Sequence, residues 1–183
     1  MQVSIYSREE IEAQLQEGLS DRAAVISFYD KGTEPVDLSG IPNEVFQVTM
    51  EDSELNEPDE FADEPFISDT EKLVDFIFAA RNAGLEIICQ CENGEGRSAG
   101  CAAAIRQFFN GDGIEVFTSG HYFPNLPIYH KVYNSLMDDW KYRTTGMMNT
   151  ILPALPAFST NSPPERFLSV DGRAILIYHL NEV

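Results

Sequence analysis

Residues 86–110 read EIICQCENGEGRSAGCAAAIRQFFN, and the rest of the chain can be placed around them. The β-favouring residues Ile87, Ile88 and Cys89 feed a turn holding Gly94 and Gly96, which runs into an alanine-rich stretch from about Ser98. This pattern predicts a central strand, a tight loop and a buried helix that Asn110 and Gly111 bring to an end. Small residues let the loop backbone curl. A loop curled in this way turns several N–H groups into one concavity, and the dipole of the following helix adds positive partial charge. Such a cradle suits a phosphate-sized dianion and favours the thiolate of a cysteine at its base. Cys91 stands at the end of the predicted strand, and Arg97 follows at the mouth of the helix.

The bulk properties limit what this cradle serves. A chain of 183 residues fits one domain with an appendage. The formal net charge of −18 disfavours nucleic acid, anionic membranes and polyphosphorylated partners, all of which are repelled at long range. Residues 51–64 carry eight acids and no base, either as a solvated loop or as a segment overhanging the site and excluding anionic surroundings. No apolar run reaches the length of a membrane span, and the opening MQVSIYSREEIEAQL lacks the basic and apolar regions of a secretory signal. Three cysteines clustered at 89, 91 and 101 make a poor disulfide framework, so a reducing cytoplasm is expected.

Taken in order, residues 2–6 predict a short strand. Ser7 and Glu10 then form a capping-box pair ahead of Ile11, Leu15 and Leu19, which predicts a helix from about Arg8 that stops at Gly18. Residues 23–29 predict a buried strand, 30–43 a loop with Pro35, Gly40 and Pro42, and 45–50 a strand with Phe46, Val48 and Met50 on one side. A second capping pair, Ser68 and Glu71, precedes Leu73, Phe76, Ile77 and Ala80 at helical spacing, with a stop at Asn82-Ala83-Gly84. Beyond the central helix, a further helix is predicted from Leu126 or Pro127 to about Tyr142, with Val132, Leu136 and Trp140 on one stripe. Prolines 153, 156, 163 and 164 then break the chain before a hairpin of residues 166–170 and 174–180 around Asp171-Gly172. Strands alternating with helices predict an α/β domain with a mainly parallel sheet covered on both faces. That domain is expected over residues 1–144, with a proline-containing linker and hairpin extension over 145–183.

The run Cys91-Glu92-Asn93-Gly94-Glu95-Gly96-Arg97-Ser98 matches C-x5-R-S/T, and with its strand before and helix after it resembles the phosphate loop of the cysteine-dependent protein tyrosine phosphatases. It is most similar to their dual-specificity branch, including small bacterial members. Tyr122-Phe123-Pro124-Asn125, leading into a helix, resembles the stretch after the loop helix in those members, and the resemblance covers roughly residues 1–140. It implies a phosphotyrosine phosphatase-like fold and hydrolysis of phosphomonoesters, phosphotyrosine foremost and with dual specificity open. In that mechanism the Cys91 thiolate attacks phosphorus and forms a phosphocysteine. The loop from Glu92 through Asn93, Gly94, Glu95 and Gly96 to Arg97 holds the equatorial oxygens, and the planar Arg97 fork binds two of them. Ser98 assists departure of the sulfur, and neither metal nor cofactor is needed. The family takes its general acid from a loop after the preceding strand, which points first to Asp52 and then to Asp59 or Asp63. The sequence departs from the family in Gln90, where a histidine is usual, and in the acids Glu92 and Glu95 within the loop.

Other readings stand beside these. The chain could be a catalytically weak module that holds a phosphorylated partner, or, with less support from the spacing, a rhodanese-type sulfurtransferase. Cys89 and Cys101 read as core residues, although either one near Cys91 could form a protective disulfide with it. His121 and His130 lack the spacing of a zinc site. Tyr122 and Phe123 fit pocket lining and core packing equally. The expected partner is a phosphorylated protein or small phosphomonoester, and the oligomeric state is open.

Overall fold

The computed structural model describes residues 1–39, 41–50, 70–151, 166–170 and 173–177. The chain forms two compact units, Met1–Thr145 and Gly146–Val183. The first contains β1 (Val3–Tyr6), α1 (Arg8–Glu17), β2 (Ala23–Asp30), β3 (Glu44–Met50), α2 (Thr70–Asn82), β4 (Glu86–Gln90), α3 (Arg97–Asn110), the short α4 (Ile114–Thr118) and the start of α5 (Leu126–Ile151).

The four strands form one parallel sheet in the order β1-β4-β2-β3. Strand β4 is central, with Ile87 opposite both Val3 and Ala24, and Cys89 opposite both Ile5 and Ile26. Both faces are covered, which is why β2 reads as a nearly continuous apolar run, interrupted by Ser27, rather than an alternating one. On one face Ala24, Ile26, Phe28, Ile87 and Cys89 pack with Leu73 and Ile77 of α2, Ile105 of α3, and Ile128, Val132 and Leu136 of α5. On the other, Ala23, Val25 and Ile88 pack against Ile11 of α1 and against Val36 and Leu38.

Local chemistry sets the ends of these elements. The capping box at α1 forms as expected: the Glu10 N–H donates to Ser7 Oγ at 3.1 Å, and the Ser7 N–H donates to Glu10 Oε2 at 2.7 Å. Helix α3 ends at Gly111, whose left-handed φ of 78° lets its N–H reach the carbonyls of Arg106 and Gln107. The expected cap of α2 at Ser68 lies outside the described residues.

Two elements differ from the sequence reading. Helix α4 was not foreseen, because five residues are too few to show a helical period; it forms because Val116 buries against Ala99 and Ala103 of α3. Helix α5 continues to Ile151 instead of stopping near Tyr142. The stretch 143–151 holds no proline, so the cost of Gly146, about 1 kcal/mol relative to alanine, and the smaller costs of Thr144, Thr145, Asn149 and Thr150 weaken the helix without breaking it before Pro153. In the second unit, β5 (Arg166–Val170) and β6 (Arg173–Ile177) pair antiparallel, with Val170 opposite Arg173. Among the described residues, no helix is long and apolar enough to cross a membrane.

Candidate active site

Cys91 leaves the carboxyl end of β4, the end of a parallel sheet where ligands commonly bind. Its N–H donates to the carbonyl of Tyr6 at the end of β1, 3.2 Å away, so the first residue of the loop is still tied to the sheet. The thiol is only 2% exposed. Its Sγ lies 3.1 Å from the hydroxyl of Ser98, which is fully buried in the first turn of α3.

The loop between them is braced on two sides. Toward β1 and α1, the Arg8 N–H donates to the Glu92 carbonyl at 3.1 Å. The Arg8 guanidinium reaches Glu92 Oε2 at 3.3 Å, Glu12 Oε1 at 3.1 Å and the Glu34 carbonyl at 3.0 Å. Gly94 has φ 72°, and a Cβ there would lie 2.7 Å from the Ser7 nitrogen. Toward α5, the Phe123 N–H donates to the Glu95 carbonyl at 2.9 Å and the Asn125 N–H to the Gly96 carbonyl at 3.0 Å. Asn125 in turn caps α5 by accepting from the Ile128 N–H at 3.0 Å. Gly100 of α3 permits this approach, since a Cβ there would come within 2.5 Å of the Asn125 carbonyl oxygen.

These braces use loop carbonyls and leave loop donors free. Among the described residues, no N–H of Glu92, Asn93, Gly94, Glu95 or Gly96 donates to a backbone carbonyl. Helix α3 begins without a side-chain cap and without an acid in its first turn. An uncapped helix start that opens on an arginine is favourable electrostatically when an anion accompanies it.

Arg97 is paired, and its partner was not foreseen in the sequence. Its Nη1 donates to Asp30 Oδ1, from the last residue of β2, the strand beside β4. Both side chains are partly buried. The available signal was the sequence AAVISFYD, an acid closing a buried parallel strand on the same sheet edge as Cys91.

Over the loop opens a cleft of ≈ 530 Å³ lined by Cys91, Asn93, Glu95, Gly96, Arg97 and residues 123–127. A cleft of this size accommodates a small ligand. The Glu92 carboxylate and the Cα of Gly94 lie against the β1–α1 turn and brace the loop from behind, while the N–H groups of both residues, the atoms expected to bind, are not spent on backbone carbonyls among the described residues. The two aromatic residues that the sequence left undecided separate. Tyr122 packs beside Ala99, Ala103 and Val116, whereas Phe123 stands 73% exposed at the cleft.

Gln90 is buried and points to the sheet face opposite Cys91, where its Oε1 accepts from the Ser27 hydroxyl at 2.6 Å. An uncharged pair thus stands behind the loop. Cys89 and Cys101 are fully buried free thiols in the core. Burial pushes the Cys89 thiol well up from its ordinary value, and the neighbouring Cys101 adds to the effect, so Cys89 stays protonated. Among the described residues, no three His, Cys, Asp or Glu side chains are grouped to hold a metal ion. Asp52, Asp59 and Asp63, the expected acids, lie outside the described residues; Asp52 follows β3 by two positions in sequence.

No family model and no curated protein matches the chain. Solved structures do. Human DUSP28 aligns with a TM-score of 0.52 at 14% identity, over 75% of this chain and 90% of its own. PTPMT1 aligns at 0.49 and 12% identity over 79% and 95% of the two chains, and Tk-PTP in its active form at 0.49 and 16% over 75% and 92%. The DUSP28 alignment shows that this chain has the fold of the cysteine-based, dual-specificity type of phosphatase.

Proposed function

We propose that this chain hydrolyses phosphomonoesters through a phosphocysteine intermediate, with residues 1–144 carrying the activity and 145–183 forming an extension. The observation that carries this reading is the Cys91 Sγ–Ser98 Oγ contact of 3.1 Å at the base of a loop whose N–H groups are free to receive an anion. A phosphatase-type fold makes that chemistry plausible.

In the first step the Cys91 thiolate attacks phosphorus and the ester oxygen departs with the bonding electrons. A carboxylic acid protonates that oxygen, and Asp52, then Asp59 or Asp63, are the candidates. The free N–H groups and Arg97 stabilise the charge on the equatorial oxygens. Arg97 has to share its fork between Asp30 and the phosphate; Asp30 is therefore a positioning residue that aims the guanidinium along the cleft. In the second step water attacks phosphorus and gives up a proton to the carboxylate left by the first step, while the Cys91 sulfur leaves as a thiolate that accepts a hydrogen bond from the Ser98 hydroxyl. The substrate we favour is phosphotyrosine in a protein, in a cytoplasmic setting that keeps the three thiols reduced.

Turnover of p-nitrophenyl phosphate by the wild type and by Cys91→Ser tests this, with vanadate as a competitor under reducing conditions. The expected result is vanadate-sensitive turnover that falls at least about 1,000-fold in the variant, the scale on which loss of a nucleophile acts. Absence of Cys91-dependent turnover overturns the enzyme. If phosphate binding persists in that case, the chain is a phosphate-holding module, a reading favoured by the uncharged Gln90–Ser27 pair and by the occupied state of Arg97.

A further inference from the structure

Among the described residues, Phe123 is one of the few large apolar side chains left exposed. It stands 73% exposed, and Leu126, three residues on, is 53% exposed. Single exposed apolar residues need no explanation, but these two line one cleft, together with Pro124 and Pro127. Their backbone is not free to fold away. The Phe123 N–H is held on the Glu95 carbonyl and the Asn125 N–H on the Gly96 carbonyl, at 2.9 and 3.0 Å, and Pro124 between them fixes its own φ near −65°. The neighbouring Tyr122 turns inward to the core, so the alternation along this segment selects Phe123 as the residue presented at the mouth. The ring is therefore anchored to the same loop residues that frame the anion cradle.

Resting on the phosphomonoesterase reading above, we infer that Phe123, seconded by Leu126, is the specificity-determining residue of the site and selects aryl over alkyl phosphomonoesters. An aromatic group attached to a phosphate seated above Cys91 projects out of the cleft past Phe123. Ring–ring contact with a pre-positioned partner adds about 0.5–1.5 kcal/mol beyond apolar burial, without the cost of ordering the wall. A short alkyl ester such as phosphoserine gains little from that surface. Glu95 on the same rim disfavours substrates with further anionic groups near the phosphate.

The test uses phenylphosphonate and methylphosphonate, whose P–C bonds resist hydrolysis, titrated calorimetrically into the wild-type chain and into Phe123→Ala and Phe123→Leu. Wild type should bind phenylphosphonate about 10-fold tighter than methylphosphonate. Phe123→Ala should reduce that ratio to about 2-fold while leaving inorganic phosphate affinity unchanged, and Phe123→Leu should fall between. A ratio that Phe123→Ala does not change, or an equal loss for both phosphonates, overturns the assignment, as does failure of either phosphonate to bind. Kinetics read the other premise separately: kcat/KM for p-nitrophenyl phosphate and for O-phosphoserine is measured on the same variants. If wild type turns over neither ester but keeps the phenylphosphonate preference, the hydrolase reading falls and the aryl selectivity stands as a binding property. If turnover is Cys91-dependent but the aryl preference is indifferent to Phe123, the hydrolase stands and the specificity assignment falls.

Discussion

The two braces on the Cys91 loop differ in what they hide. The β1–α1 side meets the loop in direct contact: Ser7 backbone lies against Gly94, and Arg8 ties down Glu92 by main chain and side chain. The α5 side meets it through two backbone hydrogen bonds and leaves an apolar ring facing the cleft. The first brace fixes the curvature of the cradle. The second fixes what stands beside whatever the cradle holds. Under the proposed function, affinity for the phosphoryl group and preference for the group attached to it should therefore be separable by mutation.

Breaking the first brace should have the largest effect. Gly94→Ala forces an L-residue to φ 72° and places its Cβ 2.7 Å from backbone that cannot rotate away. A cost of about 1–3 kcal/mol from the conformation alone is expected, read as a lower urea midpoint, together with loss of inorganic phosphate affinity. Retained phosphate affinity would separate the cradle's curvature from the Ser7 contact.

Breaking the second brace should come next, and its sign is informative. In an ordinary exposed helix Gly100→Ala would stabilise by about 1 kcal/mol. Here its Cβ would meet the Asn125 carbonyl oxygen at 2.5 Å, so overpacking of about 1–3 kcal/mol is expected instead. The displaced wall should weaken phenylphosphonate binding more than phosphate binding. A stabilised protein with both affinities intact would show that residues 123–125 yield easily.

The smallest effect should follow Arg8→Ala. Its ion pairs with Glu12 and Glu92 are partly exposed, so a stability loss below about 1 kcal/mol is expected, shrinking further in molar salt. Phosphate affinity should fall modestly through the released Glu92. An effect unchanged by salt would assign the role of Arg8 to packing of its alkyl chain.

Much of this architecture was legible because its signals are local. The Ser7–Glu10 capping box, the run from residue 23, the left-handed Gly111 stop and the strand–loop–helix at Cys91 depend on residues a few positions apart. The same locality explains the failures. Helix α4 is too short to show a period and exists because Val116 finds Ala99 and Ala103. The Arg97–Asp30 pair joins residues 67 positions apart, a separation that no local pattern spans.

By itself the sequence determined the chemistry available: a cysteine, a glycine-bearing loop, an arginine and a serine at fixed spacing, on a strand and helix whose periods are written locally. Only the tertiary structure decided how that chemistry is disposed. Parallel pairing of β2 with β4 brings Asp30 to Arg97, packing beneath α3 turns Tyr122 inward and Phe123 outward, and the opposite sheet face receives Gln90 with Ser27. Contacts between residues tens of positions apart depend on strand order and register, which no local pattern encodes.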